Sequence, residues 1–158
     1  MSKSPITSPL SEADRKSTGS VLQATLVDLI DLSLIAKQAH WNVVGKNFRS
    51  VHLQLDELVS TARTYVDEVA ERANTIGVSP NGKARTIVES SGLPAYPDGW
   101  QSDEQTVEAI VRTLEAIIKK LRKGIDETDK SDLVTQDLLI EIARELEQAH
   151  WMWQAQRA

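Results

Sequence analysis

Apolar residues recur at three- and four-residue spacing over four long stretches of this chain, and that period predicts amphipathic helices. In the first stretch Leu22, Leu26, Leu29, Ser33, Ala36 and His40 follow one face, and Ser20 with Gln23 reads as a capping box that opens it. Residues 1–19 carry Pro5, Pro9 and several serines without apolar periodicity, so they are expected to form a flexible tail. The pattern breaks at Val43-Val44-Gly45-Lys46-Asn47, where Gly45 is a natural helix stop and Asn47 the next cap. A second helix is predicted from about 48 to 76, with Phe48, Val51, Leu55, Leu58, Ala62, Tyr65, Val69 and Ala73 as its inward stripe.

Prolines 80, 94 and 97 and glycines 77, 82, 92 and 99 then mark a long connection to Gln101, with room for a short helix over Ala84–Glu89. Ser102 and Gln105 repeat the capping-box pattern, and Val107, Ile110, Val111, Leu114, Ile117, Ile118, Leu121 and Ile125 mark the third long helix. An acidic turn over 126–132 leads into a fourth, carrying Leu138, Leu139, Ile142, Leu146 and Ala149 and ending near Trp153. No strand alternation competes. The predicted class is all-α: a ferritin-like four-helix bundle over 20–158, with a long crossover between helices two and three that holds the short extra helix.

The chain has 158 residues, enough for one domain with a real core. It has no cysteine, which excludes disulfides, zinc fingers, iron–sulfur clusters and thiol nucleophiles. The opening MSKSPITSPLSEADRKS lacks the apolar core of a signal peptide, and no apolar run is read as membrane-spanning, so a cytoplasmic protein is expected. The formal net charge of -5 suits attraction of cations better than neutralisation of phosphates.

Chemistry concentrates in 37–72. Two of the three histidines, His40 and His52, lie there with Asp56, Asp67 and Glu71, and imidazole with carboxylate suits iron or zinc. His52/Asp56 and Asp67/Glu71 are each four apart and so share a helix face. Asp56 and Asp67 are separated by nearly three whole turns, so both pairs point to one side, yet about 16 Å apart along the axis. No single ion spans that gap. An antiparallel two-fold partner would lay one pair beside the other and generate two equivalent metal sites per dimer. The axis would pass near the small residues Ser60, Thr61 and Ala62.

The text KQAHWNVVGKNFRSVHLQLDEL (37–58), followed by DEVAER (67–72), resembles the Dps family, the mini-ferritins of starved bacteria. The resemblance runs from about residue 20 to the C-terminus. It implies a hollow homododecamer built from two-fold dimers. It also implies a ferroxidase that oxidises ferrous iron, with hydrogen peroxide as the typical oxidant, and stores the ferric mineral as a defence against oxidative damage. By this resemblance His40, His52 and Asp56 of one subunit and Asp67 and Glu71 of its mate hold two irons. Glu71, Asp67 and His40 would form the tighter site, with His52 and Asp56 the weaker.

Trp41, beside a ligand, is by the same resemblance an electron donor; simple packing at the dimer interface is the equal alternative. Lys37 can pair with Asp56. Three-fold iron-entry pores of the family would draw on Asp126, Glu127, Asp129, Asp132, Asp137 and Glu141, which otherwise read as a solvated turn and helix-start acids. His150 reads as structural. Trp151 and Trp153 cannot both face the core, and one of them, like Trp100, is expected at a subunit interface. The family's second activity is DNA protection at the nucleoid. It commonly uses a basic tail, whereas here only Lys3, Arg15 and Lys16 oppose Glu12 and Asp14, so weak or no DNA binding is expected. A metal-dependent amide hydrolase at the same site is the remaining alternative; it lacks an evident substrate pocket or nucleophile.

Overall fold

A computed structural model describes residues 4–157. Four long helices form two hairpins. The first joins α1 (Glu12–Asn42) to α2 (Phe48–Thr75). After a crossover bearing α3 (Ala84–Ser90), the second joins α4 (Asp103–Thr128) to α5 (Leu133–Gln154), which closes in a 3-10 turn over Ala155–Arg157. The fully buried side chains come from all four long helices: Leu22, Leu29 and Leu32, Leu55, Ile110, Leu114 and Ile117, Leu139, Ile142, Leu146 and Trp153. The class expected from the periodicity is the class observed.

The start of α1 corrects one expectation. Residues 12–19, assigned to the tail, are helical, because Ser11 caps the helix by accepting from the Asp14 amide at 3.2 Å. Thr18 and Gly19 are buried there. Ser20 does not cap; its hydroxyl donates to the Lys16 carbonyl, and Gln23 instead exchanges two 2.9 Å hydrogen bonds with the Asn81 backbone. The second correction concerns apolar runs. An 18-residue window of α1 has mean hydropathy 1.5, high enough for a membrane span, but 67% of it is buried inside the bundle. It is the core helix, enclosed on most sides and so apolar around most of its circumference.

The crossover climbs the whole bundle. It leaves the end of α2, and its last residues, β2 (Gln101–Ser102), pair in parallel with β1 (Val43–Val44), the residues that follow α1. This two-residue pairing was invisible to periodicity. Along the way Asp28, 2% exposed on α1, accepts from the Gly92 amide at 3.1 Å and from the Lys120 ammonium at 2.7 and 3.0 Å. The predicted capping box at Ser102/Gln105 is present and opens α4. Asp103, also buried, accepts from the Asn47 amide at 2.8 Å, and this backbone bond, with a second from Glu104, holds its carboxyl below the usual range against the opposing effect of burial. It therefore clamps the α1–α2 turn onto the start of α4. Gly45 has φ +135°, and a Cβ there would lie 2.6 Å from the Asp103 carboxylate, so only glycine fits.

Candidate metal centre

The top of the α1–α2 hairpin brings His40 and His52 together. His40 ends the buried stripe of α1 at 7% exposure, and His52 lies one turn into α2. Their rings stack with centroids 3.6 Å apart. Each ring bonds to the other residue's backbone: His40 Nδ1 to the His52 carbonyl and His52 Nδ1 to the His40 carbonyl, both at 2.9 Å. A carbonyl only accepts, so Nδ1 carries the hydrogen in both rings. The neutral imidazoles then keep their lone pairs on Nε2. Metal-binding histidines are commonly oriented in this way, with the non-ligating nitrogen donating to a carbonyl. The His40 carbonyl belongs to the last turn of α1, where intrahelical donors run out, so His52 also caps that helix.

Asp56, one turn after His52, completes the half-buried group. Its Oδ1 lies 3.4 Å from His40 Nδ1 and 2.5 Å from Lys37 Nζ. The Lys37 hydrogen bond holds the Asp56 carboxyl below its ordinary range; partial desolvation opposes this, and the charge of Lys37, with those of His40 and His52 when their rings are protonated, reinforces it. Phe48, expected in the core stripe, is 43% exposed, and its ring sits 4.9 Å from that of His52, covering this group rather than entering the core.

Asp67 and Glu71 are exposed further along α2. Asp56 and Asp67 line one open groove with Lys37, Ser60, Arg63 and Thr64. One acid of each pair thus opens onto the same groove. Of the small residues expected near a two-fold axis, only Ser60 lies in that groove. Ala62 is fully buried in the chain's own core, and Thr61 faces α5 beside Glu145, because 100° per residue carries them round the helix. Thr64 and Arg63 take their place. Among the described residues no three His, Asp or Glu side chains of one chain lie close enough to hold a metal ion.

The remaining candidates separate clearly. Trp41 is 67% exposed beside His40. Asp132 is drawn inward as the cap of α5. Burial tends to raise its carboxyl, but hydrogen bonds from Thr135 at 2.5 Å, Arg72 at 2.6 Å and the Val134 amide prevail and lower it. It is therefore occupied in joining α2 to the α4–α5 turn, a role without a sequence signal at Arg72. Asp126, Asp137 and Glu141 remain exposed, Glu127 pairs with Lys123 at 3.3 Å, and Asp129 accepts from Gln136. Trp153 is the tryptophan in the core, whereas Trp151 and Trp100 are 65% and 81% exposed. His150 has its Nε2 buried without a hydrogen-bond partner among the described residues. Arg15 and Lys16 ride on helical α1 rather than on a tail, and Lys3 lies outside the described residues.

The ferritin-like domain family matches residues 20–158. A "DNA protection during starvation protein" of Mycolicibacterium smegmatis is 39% identical over 150 residues, which cover 92% of this chain and 80% of that protein. The tetragonal form of Mycobacterium smegmatis Dps superposes with TM-score 0.92 at 36% identity, over 99% of this chain and 94% of the other. Dps from Microbacterium arborescens in its high iron form gives TM-score 0.90 at 31% identity, over 95% and 97% of the two chains. With a ferritin-like bundle and this likeness over nearly its full length, the chain belongs to the Dps family.

Proposed function

We propose that this protein is a ferroxidase and iron store whose dinuclear sites form between two subunits. Iron is here a substrate. His40, His52 and Asp56 of one subunit would bind it together with Asp67 and Glu71 of an antiparallel mate. The observation that carries this reading is the reciprocal pair of Nδ1–H bonds between His40 and His52, which turns both Nε2 lone pairs over to a metal. The shared groove of Asp56 and Asp67 supports the two-fold arrangement. Two adjacent ferrous ions each give up one electron. Hydrogen peroxide takes both, its O–O bond breaks, and with two protons it leaves as two waters, so no free one-electron oxygen radical is released. The ferric product would accumulate inside a closed shell of subunits, a dodecamer in this proposal. Exposed Asp126, Asp137 and Glu141 would draw cations toward a pore.

Protection of DNA would then be chemical, by removal of iron and peroxide. With net charge -5 and its described basic residues at the N-terminus built into a helix, the chain is poorly suited to coat DNA. The test is ferric absorbance after addition of ferrous iron and peroxide to the assembled protein and to a His40→Ala/Asp67→Asn double variant. The wild type should oxidise iron rapidly and the variant only at the background rate; equal rates would remove the assignment. A gel shift at low salt should leave DNA free.

A further inference from the structure

Lys37 sits at the proposed iron centre, and the proposed ligand set does not include it. It lies one turn before His40 on α1, and its Nζ reaches across to Asp56 Oδ1 at 2.5 Å. That oxygen also faces His40 Nδ1 at 3.4 Å, so it is the inner oxygen of the carboxylate. The lysine side chain is only 26% exposed, so it is packed in this pose rather than trailing in solvent. No hydrogen bond from another donor reaches Asp56 among the described residues, which leaves the ammonium as its principal partner.

We propose, resting on the ferroxidase reading, that Lys37 is a positioning residue that acts as a tethered stand-in for the second metal ion. Its ammonium neutralises and orients Asp56 before iron arrives, and a divalent ion must displace or share that contact to bind. An ion bound to Asp56 would come within a few ångströms of Nζ, because both would contact one carboxylate. The like-charge repulsion falls most heavily on the His52/Asp56 position, which is nearest to Nζ. The position served by Asp67, Glu71 and His40 Nε2 does not use that oxygen. Lys37 thus splits the two affinities, so that the first ion binds tightly while the second binds weakly and leaves easily once oxidised. Such a split favours turnover into the store over permanent occupancy.

The proposal is tested by calorimetric titration of the assembled protein with Zn2+, without oxidant, in the wild type, Lys37→Gln and Lys37→Arg. The wild type should show one tight and one weak ion per site. Lys37→Gln should tighten the weak step by about tenfold or more, since a unit charge a few ångströms away is removed from a partly screened site, and change the tight step distinctly less. Lys37→Arg, which keeps the charge, should retain the weak step. Size-exclusion and helicity measurements confirm assembly in each. An unchanged or weakened second step in Lys37→Gln, with both ions still bound, overturns the role of Lys37 and leaves the ferroxidase centre standing. Absence of two-ion binding in the wild type overturns both.

Discussion

The proposed division of one redox centre between two chains makes a quantitative prediction that a single-chain centre does not. Two variants are made: His52→Ala/Asp56→Asn, which removes one half-site, and Asp67→Asn/Glu71→Gln, which removes the other. Eleven residues of α2 separate Asp56 from Asp67, a rise of about 16 Å, whereas metal–ligand bonds are only about 2 Å long. The two halves of one chain therefore never cooperate. Each variant assembled alone lacks one half of every site and should be inactive. Mixed at equal amounts, about half of the two-fold dimers join one chain of each kind. In such a dimer one interface carries both mutated halves, and the other carries five intact ligands. About a quarter of all sites is thereby restored, and initial ferric absorbance should recover to about a quarter of the wild-type rate. The assay uses co-expression under two different tags, sequential purification of doubly tagged assemblies, and stopped addition of ferrous iron with peroxide. No recovery in assemblies that demonstrably contain both chains would refute the inter-subunit geometry, as would full activity in either variant alone.

Further outcomes concern the supports of the site. Lys120→Met should destabilise the protein by about 1–3 kcal/mol in thermal melts, below the 3–5 kcal/mol of a fully buried pair, because the Lys120 side chain is 45% exposed and water can reach the orphaned Asp28. The double change Asp28→Asn/Lys120→Met should recover part of that loss. Gly45→Ala should cost roughly 1–3 kcal/mol, since it combines a strained φ with a clash on Asp103, and should impair metal binding through the α1–α2 turn. Asp132 has a lowered carboxyl pKa in the fold, so its contribution is fully present above the unfolded value near 3.9 and is lost as pH falls through the lower folded value. Denaturant midpoints measured from pH 6 downward should fall on the acid side, and Asp132→Asn should flatten that fall. Trp153→Ala should cost about 3–5 kcal/mol.

The bundle was legible because burial imposes the helical period: the stripes of α2 and α4 name nearly every apolar residue that those two helices bury, missing Val59 and Ala109. It failed at the ends. Phe48 matched the stripe by spacing yet lies over His52, because the first turn of a helix projects beyond the core it leads into. Residues 12–19 looked like a tail because their polar character reflects one solvated side; the buried Thr18 and Gly19 are too small or too polar to register as a stripe. The buried acids were missed for a deeper reason. Asp28, Asp103 and Asp132 each find partners more than twenty residues away or in backbone amides, and no local pattern reports such pairing. The same limit applies to the candidate centre. Spacing puts the four candidate ligands of α2 on one face, and the proposed centre then requires a second chain. Spacing could not indicate that His40 and His52 would fix one another's tautomer, because that rests on the path of the turn between them. Gly45 and Asp103 set that path, with Asp103 delivered by the far end of the crossover. The crossover is therefore part of the apparatus that aims the imidazoles, even though it contributes no ligand.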